Sequence, residues 1–175
     1  LRGLASDGRP YQGFLYFGLM LTAEGPRVLE FNCRMGDPEC QALVVRLGSD
    51  LAETLERLAS GRLADSPWEW KPGASACVVL ASAGYPGSYQ TDKPIAGLEA
   101  AEVLPGEKLF HAGTRASQGS WFTAGGRVLG VTAEGGTLRE ALDRAYAAVE
   151  KISFPGMHYR RDIGARGLQK LGTRR

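Results

Sequence analysis

Residues 28–39 read VLEFNCRMGDPE, a stretch that starts as a β-strand and ends as the entrance to a helix. Side chains alternate between the two faces of a strand, so Glu30, Asn32 and Arg34 are predicted to share one face. A carboxylate and an amide oxygen suit a hard divalent cation such as Mg²⁺, which also takes phosphate oxygens. Arg34, one step further along the row, can hold a phosphate or a carboxylate bidentately. The row therefore predicts a site for a metal ion and an anion.

The residues after this strand predict how the site ends. Gly36 breaks the strand, Asp37 suits an N-cap, and Pro38 suits the first position of a helix. The N-terminus of such a helix adds backbone donors and the positive end of its dipole, which favour an anion. Spacing alone leaves an alternative open, a solvated sheet face followed by a well-capped helix, because short patterns of this kind also occur without function.

The composition is that of a globular protein, with 43% hydrophobic and 23% charged residues among 175. This length predicts one ordinary domain or two small ones. The net charge of only +2 does not indicate a nucleic-acid or membrane surface as partner. No apolar run approaches the length of a membrane helix, and the N-terminus lacks a signal-peptide pattern. We therefore expect a cytoplasmic protein without nucleic-acid or membrane partners.

The three cysteines lack C-x-x-C spacing, so neither a disulfide framework nor a zinc cluster is favoured. Free thiols fit a cytosolic chain. The first residue, Leu1, is not methionine, which indicates a piece of a longer protein.

The first part of the chain is predicted to contain an antiparallel hairpin followed by helices. Residues 13–21 (GFLYFGLML) form an apolar run typical of a strand buried on both faces. A turn at 22–26 leads into the strand at 27–34, whose second face is predicted to pack on a core. A helix is predicted from Pro38 to about Leu47, and a second amphipathic helix after Ser49 or Asp50 as N-cap.

Residues 64–73 (ADSPWEWKPG) are rich in Pro, Ser and Gly, and they predict a boundary between two modules. Strands followed by a helix are predicted beyond it, which is an α+β pattern. Residues 120–123 and 127–133 are predicted to pair as a hairpin, with Gly125 and Gly126 supplying the positive φ angles of its turn. The other predicted elements are strands at 74–83 and 109–114, a helix from a capping box at 137–140 to about 152, and a short helix near 162–168.

Other kinds of catalytic site are not indicated. The sequence contains no Walker A loop, no G-x-G-x-x-G fingerprint and no nucleophile elbow. Its only two histidines, His111 and His158, are far apart in sequence, and a lone histidine is more often structural than catalytic.

Several motifs occur in order along the chain: VLEFNCRMGDPECQ, GYPGSY, FHAGT and GGRVLGVTAEG. Together they resemble the phosphoribosylamine–glycine ligases (glycinamide ribonucleotide synthetases), a family of ATP-grasp enzymes of purine biosynthesis. The resemblance covers nearly the whole chain, from GFLYFGLM to RRDIGARGL. Agreement of several motifs in order is far more specific than the E-x-N pattern alone.

This resemblance implies a reaction and roles for four residues. The family enzyme activates the carboxylate of glycine with ATP as an acyl phosphate, which the amine of 5-phosphoribosylamine then attacks. It implies that Glu30 and Asn32 hold Mg²⁺ (or Mn²⁺) against the ATP phosphates, and that Arg34 and Asp37 border the glycine and acyl-phosphate site. Such chemistry depends mostly on positioning and charge neutralisation, which a metal ion and an arginine supply.

The resemblance also implies an α+β fold in two parts: the C-terminal part of an ATP-grasp domain at 1–68, and a small C-terminal domain at 69–175. The family's N-terminal substrate domain, adenine pocket and phosphate-binding lysines are absent from these residues, so the isolated chain is expected to be inactive. Met35 and Cys40 depart from the family pattern as tolerable packing changes.

Two alternatives remain open at this point. One is another ATP-grasp ligase or a carboxylase, against which the GDPECQ segment argues. The other is a folded module that is not catalytic as an isolated chain.

Overall fold

The structure is a computed structural model that describes residues 1–63, 68–102 and 106–172. Part of the predicted module boundary (64–67) and the last three residues lie outside this description. The described residues form two compact units. The first combines Leu1–Cys40 with Leu47–Lys71, and the second combines Gln41–Arg46 with the residues from Pro72 onward.

The first unit is built around the predicted antiparallel hairpin, which is confirmed. Strand β1 pairs with β2 along its length, and a β-bulge interrupts the register between Gly18 and Leu19. The elements that begin in this unit are α1 (Arg2–Ser6), β1 (Tyr16–Thr22), β2 (Gly25–Asn32), α2 (Glu39–Val44) and α3 (Leu51–Ala59).

The prediction that the hairpin is buried is wrong for this unit. Phe31 is 61% exposed, Leu29 is 64% exposed and Leu21 is 70% exposed. Because the sheet has only two strands, the described residues of the unit leave these three apolar side chains largely exposed. Gly36 and Thr54 are the only buried residues in the described part of the unit.

The helices after the hairpin differ from prediction in their bounds. Helix α2 begins at Glu39, so Pro38 precedes the helix instead of opening it, and α2 ends at Val44. Helix α2 therefore has six residues, instead of the roughly ten predicted from Pro38 to Leu47. The predicted cap of α3 is confirmed, since the Asp50 side chain accepts a hydrogen bond of 3.1 Å from the Glu53 N–H.

The second unit contains two three-stranded antiparallel sheets, with strand orders β3-β8-β5 and β4-β7-β6. This confirms the α+β prediction for the second part of the chain. Its elements are β3 (Ala74–Ala81), β4 (Pro94–Ile95), α4 (Leu98–Glu102), β5 (Glu107–His111), β6 (Thr114–Ser117), β7 (Ser120–Thr123), β8 (Arg127–Gly135), α5 (Leu138–Val149) and α6 (Ala165–Gly172).

The core of the second unit lies between helix α5 and the three-stranded sheet whose central strand is β8. Val131 of β8 and Val149 of α5 are fully buried there. The predicted N-cap of α5 is confirmed, because Thr137 Oγ1 accepts from the Glu140 N–H. The Glu140 carboxylate accepts from the Gly136 N–H, one residue before the partner that a capping box requires. Local sequence thus fixes where the helix that covers this sheet begins.

The predicted hairpin of 120–123 with 127–133 is wrong. Strand β7 pairs with β6 and β4, whereas β8 pairs with β3 and β5, so the chain changes sheets at Gly125 and Gly126. Neither glycine has a positive φ angle. Glycine is needed there for space, since a Cβ on Gly126 would lie 2.2 Å from the Tyr85 ring. The predicted strand at 109–114 is likewise divided between β5 and β6.

Within the described ranges, no helix is both long enough and apolar enough to cross a membrane.

Candidate active site

The register of the hairpin determines which side chains meet at the predicted metal row. Glu30 lies opposite Gly18, and Asn32 lies opposite Tyr16. Glu30 and Asn32 are two positions apart in β2, so their side chains share one face, with Cα atoms about 6.6 Å apart along the strand. A Cβ on Gly18 would lie 2.7 Å from the Glu30 Cγ, so the Glu30 side chain occupies the space that this glycine leaves.

Tyr16 brings further charged groups to the same place. Removal from water raises the pKa of Tyr16, and the negative charges of Glu39 and Glu30 raise it further, whereas the Arg34 guanidinium lowers it. Gly36 allows this approach, because a Cβ there would lie 2.3 Å from the Glu39 Oε2 and 3.1 Å from the Tyr16 Cε2. The Tyr16 phenol therefore lies within electrostatic range of two carboxylates and one guanidinium.

The side-chain amide of Asn32 is compatible with a metal ligand. Asn32 is half-buried, and its Nδ2 is buried without a hydrogen-bond partner in the described structure. A half-turn of the amide exchanges Nδ2 with Oδ1, so this unpaired position can present an oxygen to a cation. The described residues contain no cluster of three or more His, Cys, Asp or Glu side chains that could hold a metal by themselves. One carboxylate and one amide fit Mg²⁺, which usually completes its shell with phosphates and water.

Arg34 follows the strand instead of continuing it, because β2 ends at Asn32. Its approach to Tyr16 is therefore set by the bend at residues 33–34, and not by strand alternation as predicted. Arg34 is exposed, and its Nη1 donates a 2.9 Å hydrogen bond to the Met35 carbonyl. It forms no ion pair with any side chain in the described ranges. Its guanidinium can therefore receive an anion.

Asp37 lies in the turn that leads into α2, and it is exposed. Burial raises the pKa of the Cys40 thiol, and the negative charge of Asp37 raises it further. The Asp37 carboxylate therefore acts electrostatically on Cys40, whereas the Glu39 carboxylate raises the pKa of Tyr16. Sequence reasoning missed Tyr16, Gly18 and Glu39, and the hairpin register was the signal that could have identified the first two.

The two histidines lie in the second unit. The His111 ring packs on Trp121 at a centroid distance of 4.0 Å, and its Nδ1 is 2.9 Å from the Thr114 Oγ1. The backbone of His158 pairs with Ala81.

The residues of this site belong to the ATP-grasp class, since the family model that matches residues 1–40 is described as an ATP-grasp (A) domain. The chain superposes with a TM-score of 0.55 on the biotin carboxylase domain of 2-oxoglutarate carboxylase from Hydrogenobacter thermophilus, over 81% of this chain and 31% of that one. The sequence identity there is only 20%, so this likeness concerns the fold alone.

Sequence comparison then identifies the family. The family model described as "Phosphoribosylglycinamide synthetase, C domain" matches residues 75–166, and the one described as "Phosphoribosylglycinamide synthetase, ATP-grasp (A) domain" matches residues 1–40. The chain belongs to the phosphoribosylglycinamide synthetase family, which confirms the resemblance drawn from the motifs.

Relatives with curated names agree with this. Phosphoribosylamine–glycine ligase from Rhizobium meliloti is 48% identical over 97% of this chain. The chloroplastic enzyme of the same name from Arabidopsis thaliana is also 48% identical over 97%. The crystal structure of the Thermotoga maritima phosphoribosylamine–glycine ligase matches 92% of this chain with a TM-score of 0.79 and 36% identity. The chain spans 40% of the length of the first relative, 33% of the second and 39% of the crystallised one.

Proposed function

We propose that this chain is the C-terminal portion of an ATP-dependent ligase that joins glycine to 5-phosphoribosylamine through a glycyl phosphate intermediate. The observation that carries the proposal is that Glu30 and Asn32 share one face of β2, and that the buried Nδ2 of Asn32 has no hydrogen-bond partner in the described structure. Family membership selects the reaction among those that such a site can serve.

Glu30 and Asn32 are the proposed ligands of Mg²⁺ or Mn²⁺. Bound there, the metal ion would neutralise charge on the phosphates of ATP. The Glu30 side chain runs over Gly18, whose missing Cβ leaves the space that it occupies. Tyr16 lies within electrostatic range of both Glu30 and Glu39, since each carboxylate raises the pKa of its phenol.

Arg34 is the proposed anion-binding residue of the reaction. Its guanidinium presents two parallel N–H donors, which match two oxygens of a phosphate or of the glycine carboxylate. The proposed role of Asp37 is to border the glycine and acyl-phosphate site from the turn before α2. Both roles follow from the family resemblance together with the positions of these residues after β2.

The rest of the proposed enzyme would cover the hairpin. The first unit leaves Phe31, Leu29 and Leu21 exposed, and a fully buried side chain of this size contributes roughly 1.5–3 kcal/mol. Residues 1–68 are the proposed end of an ATP-grasp domain, completed by preceding chain that also carries the adenine pocket. Residues 69–175 are the proposed C-terminal domain. A cytoplasmic location stays a prediction, since one relative is named as chloroplastic.

The test is an assay of the full-length enzyme with ATP, glycine and 5-phosphoribosylamine, followed by ADP release. Glu30→Gln keeps the shape of the side chain and removes its charge, so turnover should fall at least about 100-fold, or about 2.7 kcal/mol. Glu24→Gln, in the turn of the same hairpin, is the matched control, because Glu24 pairs only with the exposed Arg27. Near-normal turnover of Glu30→Gln at ordinary Mg²⁺ concentration would contradict the ligand assignment.

The alternatives are less well supported. A carboxylase is favoured only by a fold-level likeness at 20% identity, whereas named ligases reach 48%. A separate, non-catalytic function for the isolated chain has no observation in its favour. The isolated chain should nevertheless bind ATP weakly, and a micromolar affinity measured by isothermal titration would show a more self-contained nucleotide site than proposed.

A further inference from the structure

The second unit contains a cavity of about 640 Å³ between the segment after β3 and the turn at Pro155 and Gly156. Its walls include the side chains of Ser88, Gln90 and Lys93. This volume is within the usual range for small-molecule sites. A serine, a glutamine and a lysine in the lining suit a polar ligand that carries negative charge.

Lys93 gives the cavity an uncompensated positive charge. Its side chain is half-buried and forms no hydrogen bond or ion pair within the part of the chain that the structure describes. The adjacent acid, Asp92, is already paired with Arg115 at 2.7 Å, and this hydrogen bond lowers the pKa of Asp92. A half-buried ammonium without a carboxylate partner favours an anionic ligand.

The backbone around Lys93 is held in a defined conformation. Asp92 adopts a left-handed conformation with φ of 59°. Thr123 binds both backbone groups of Lys93. Its Oγ1 accepts a hydrogen bond of 3.1 Å from the Lys93 N–H, and its own N–H donates one of 2.9 Å to the Lys93 carbonyl. The ammonium is therefore carried by a stem whose base is held in place.

Other residues that line the cavity are also fixed in place. Ser82 anchors the segment after β3 by donating its hydroxyl to the Gly125 carbonyl at 2.8 Å. Gly84 lies so close to the Ser88 carbonyl that a Cβ would be 2.1 Å from it. Gly156, which also lines the cavity, is packed against Ala83, and a Cβ on Gly156 would lie 2.8 Å from the Ala83 Cβ. A wall that is already ordered loses little entropy when a ligand binds.

We propose that this cavity binds the phosphate ester of a small sugar, with the Lys93 ammonium on the phosphate and Ser88 and Gln90 on the sugar hydroxyls. The choice of a sugar phosphate rests on the proposed function, in which the amine acceptor is a phosphorylated ribose. The choice of an anion does not, because it follows from the unpaired Lys93.

Titration calorimetry of the 175-residue chain with ribose 5-phosphate, ribose and inorganic phosphate tests the proposal. Ribose 5-phosphate should bind with a Kd of about 1 mM or tighter. Ribose alone should not bind measurably, and inorganic phosphate should bind at least about tenfold more weakly, because it lacks the sugar contacts. Equal binding of inorganic phosphate would overturn the sugar assignment, and no binding of either anion would overturn the site.

Three variants assign the binding to Lys93. Lys93→Gln should weaken ribose 5-phosphate at least about tenfold, and Lys93→Arg should retain most of the affinity. Lys108→Gln removes the same charge from an exposed position on β5 and should have no effect. Thermal unfolding of each variant identifies loss of fold. Equal losses for Lys93→Gln and Lys108→Gln would reject the assignment.

Kinetics of the full-length enzyme separate this inference from the proposed function. Lys93→Gln should raise KM for 5-phosphoribosylamine at least about tenfold and leave KM for ATP and glycine unchanged. If the enzyme lacked ligase activity but the chain still bound ribose 5-phosphate through Lys93, the proposed function would fail and the site would stand. An active enzyme whose KM for the amine is insensitive to Lys93 would overturn the site alone.

Discussion

Replacing Gly18 with alanine moves the Glu30 carboxylate without removing any charge from the candidate active site. The new methyl group would lie 2.7 Å from the Glu30 Cγ, whereas ordinary contacts between carbon atoms are about 3.5–4.0 Å. The Glu30 side chain must therefore shift by roughly 1 Å or change its χ1 rotamer. Gly18 has no positive φ angle, so alanine introduces no backbone strain at this position.

A misplacement of about 1 Å can reduce the rate of a reaction that depends on positioning by about 100-fold. We expect kcat/KM of the full-length enzyme to fall between about 10-fold and 100-fold, which corresponds to roughly 1.4–2.7 kcal/mol. Stability should change little, because alanine is intrinsically preferred over glycine in a strand by roughly 0.5–1 kcal/mol and this offsets the local crowding.

The assay is ADP release as a function of Mg²⁺ concentration, together with thermal unfolding of the same preparations. The Mg²⁺ concentration for half-maximal rate should rise, because a displaced ligand binds the metal more weakly. Gly3→Ala is the control, since a Cβ there meets nothing within 4 Å. If Gly18→Ala had normal kcat/KM and normal Mg²⁺ dependence, the position of Glu30 would be irrelevant to catalysis and the metal site would have to lie elsewhere.

Three further predictions concern other residues. Arg34→Lys should lower kcat of the full-length enzyme by about tenfold or more, with ATP affinity little changed, because lysine cannot grip two oxygens in one plane; an unchanged kcat with slightly lower thermal stability would indicate a surface role. Gly126→Ala should destabilise the chain by roughly 1–3 kcal/mol in urea unfolding, because its Cβ would lie 2.2 Å from the Tyr85 ring, and full stability would mean that the ring can move aside. Burial raises the pKa of Glu107 above its ordinary value of 4.5, so its ionisation opposes folding increasingly as pH rises through and above that value. Glu107→Gln should therefore raise Tm at pH 7, with a gain that shrinks below about pH 4.5; a gain independent of pH would exclude ionisation as the cause.

Local features of the sequence were sufficient wherever a few neighbouring residues satisfy each other. The Thr137 side chain accepts from the Glu140 N–H at the start of α5, and the Asp50 side chain accepts from the Glu53 N–H at the start of α3. Alternation in a strand likewise placed Glu30 and Asn32 on one face, and the turn between β1 and β2 joined them into a hairpin. Motif order added the family, which no local pattern could supply.

Only the tertiary structure decided which strands pair and which groups approach the site. β7 has four residues, too few to specify its partner, so contacts with β4 and β6 determine its sheet. Gly126 is required because the Tyr85 ring, 41 positions earlier in the sequence, occupies the space where a side chain would lie. Tyr16 and Glu39 meet beside Glu30 through the register of the hairpin and the bend after it, and neither is visible in a single stretch of sequence. Hydrophobicity alone predicted a buried hairpin, but burial also requires neighbouring elements, and the first unit by itself does not provide them.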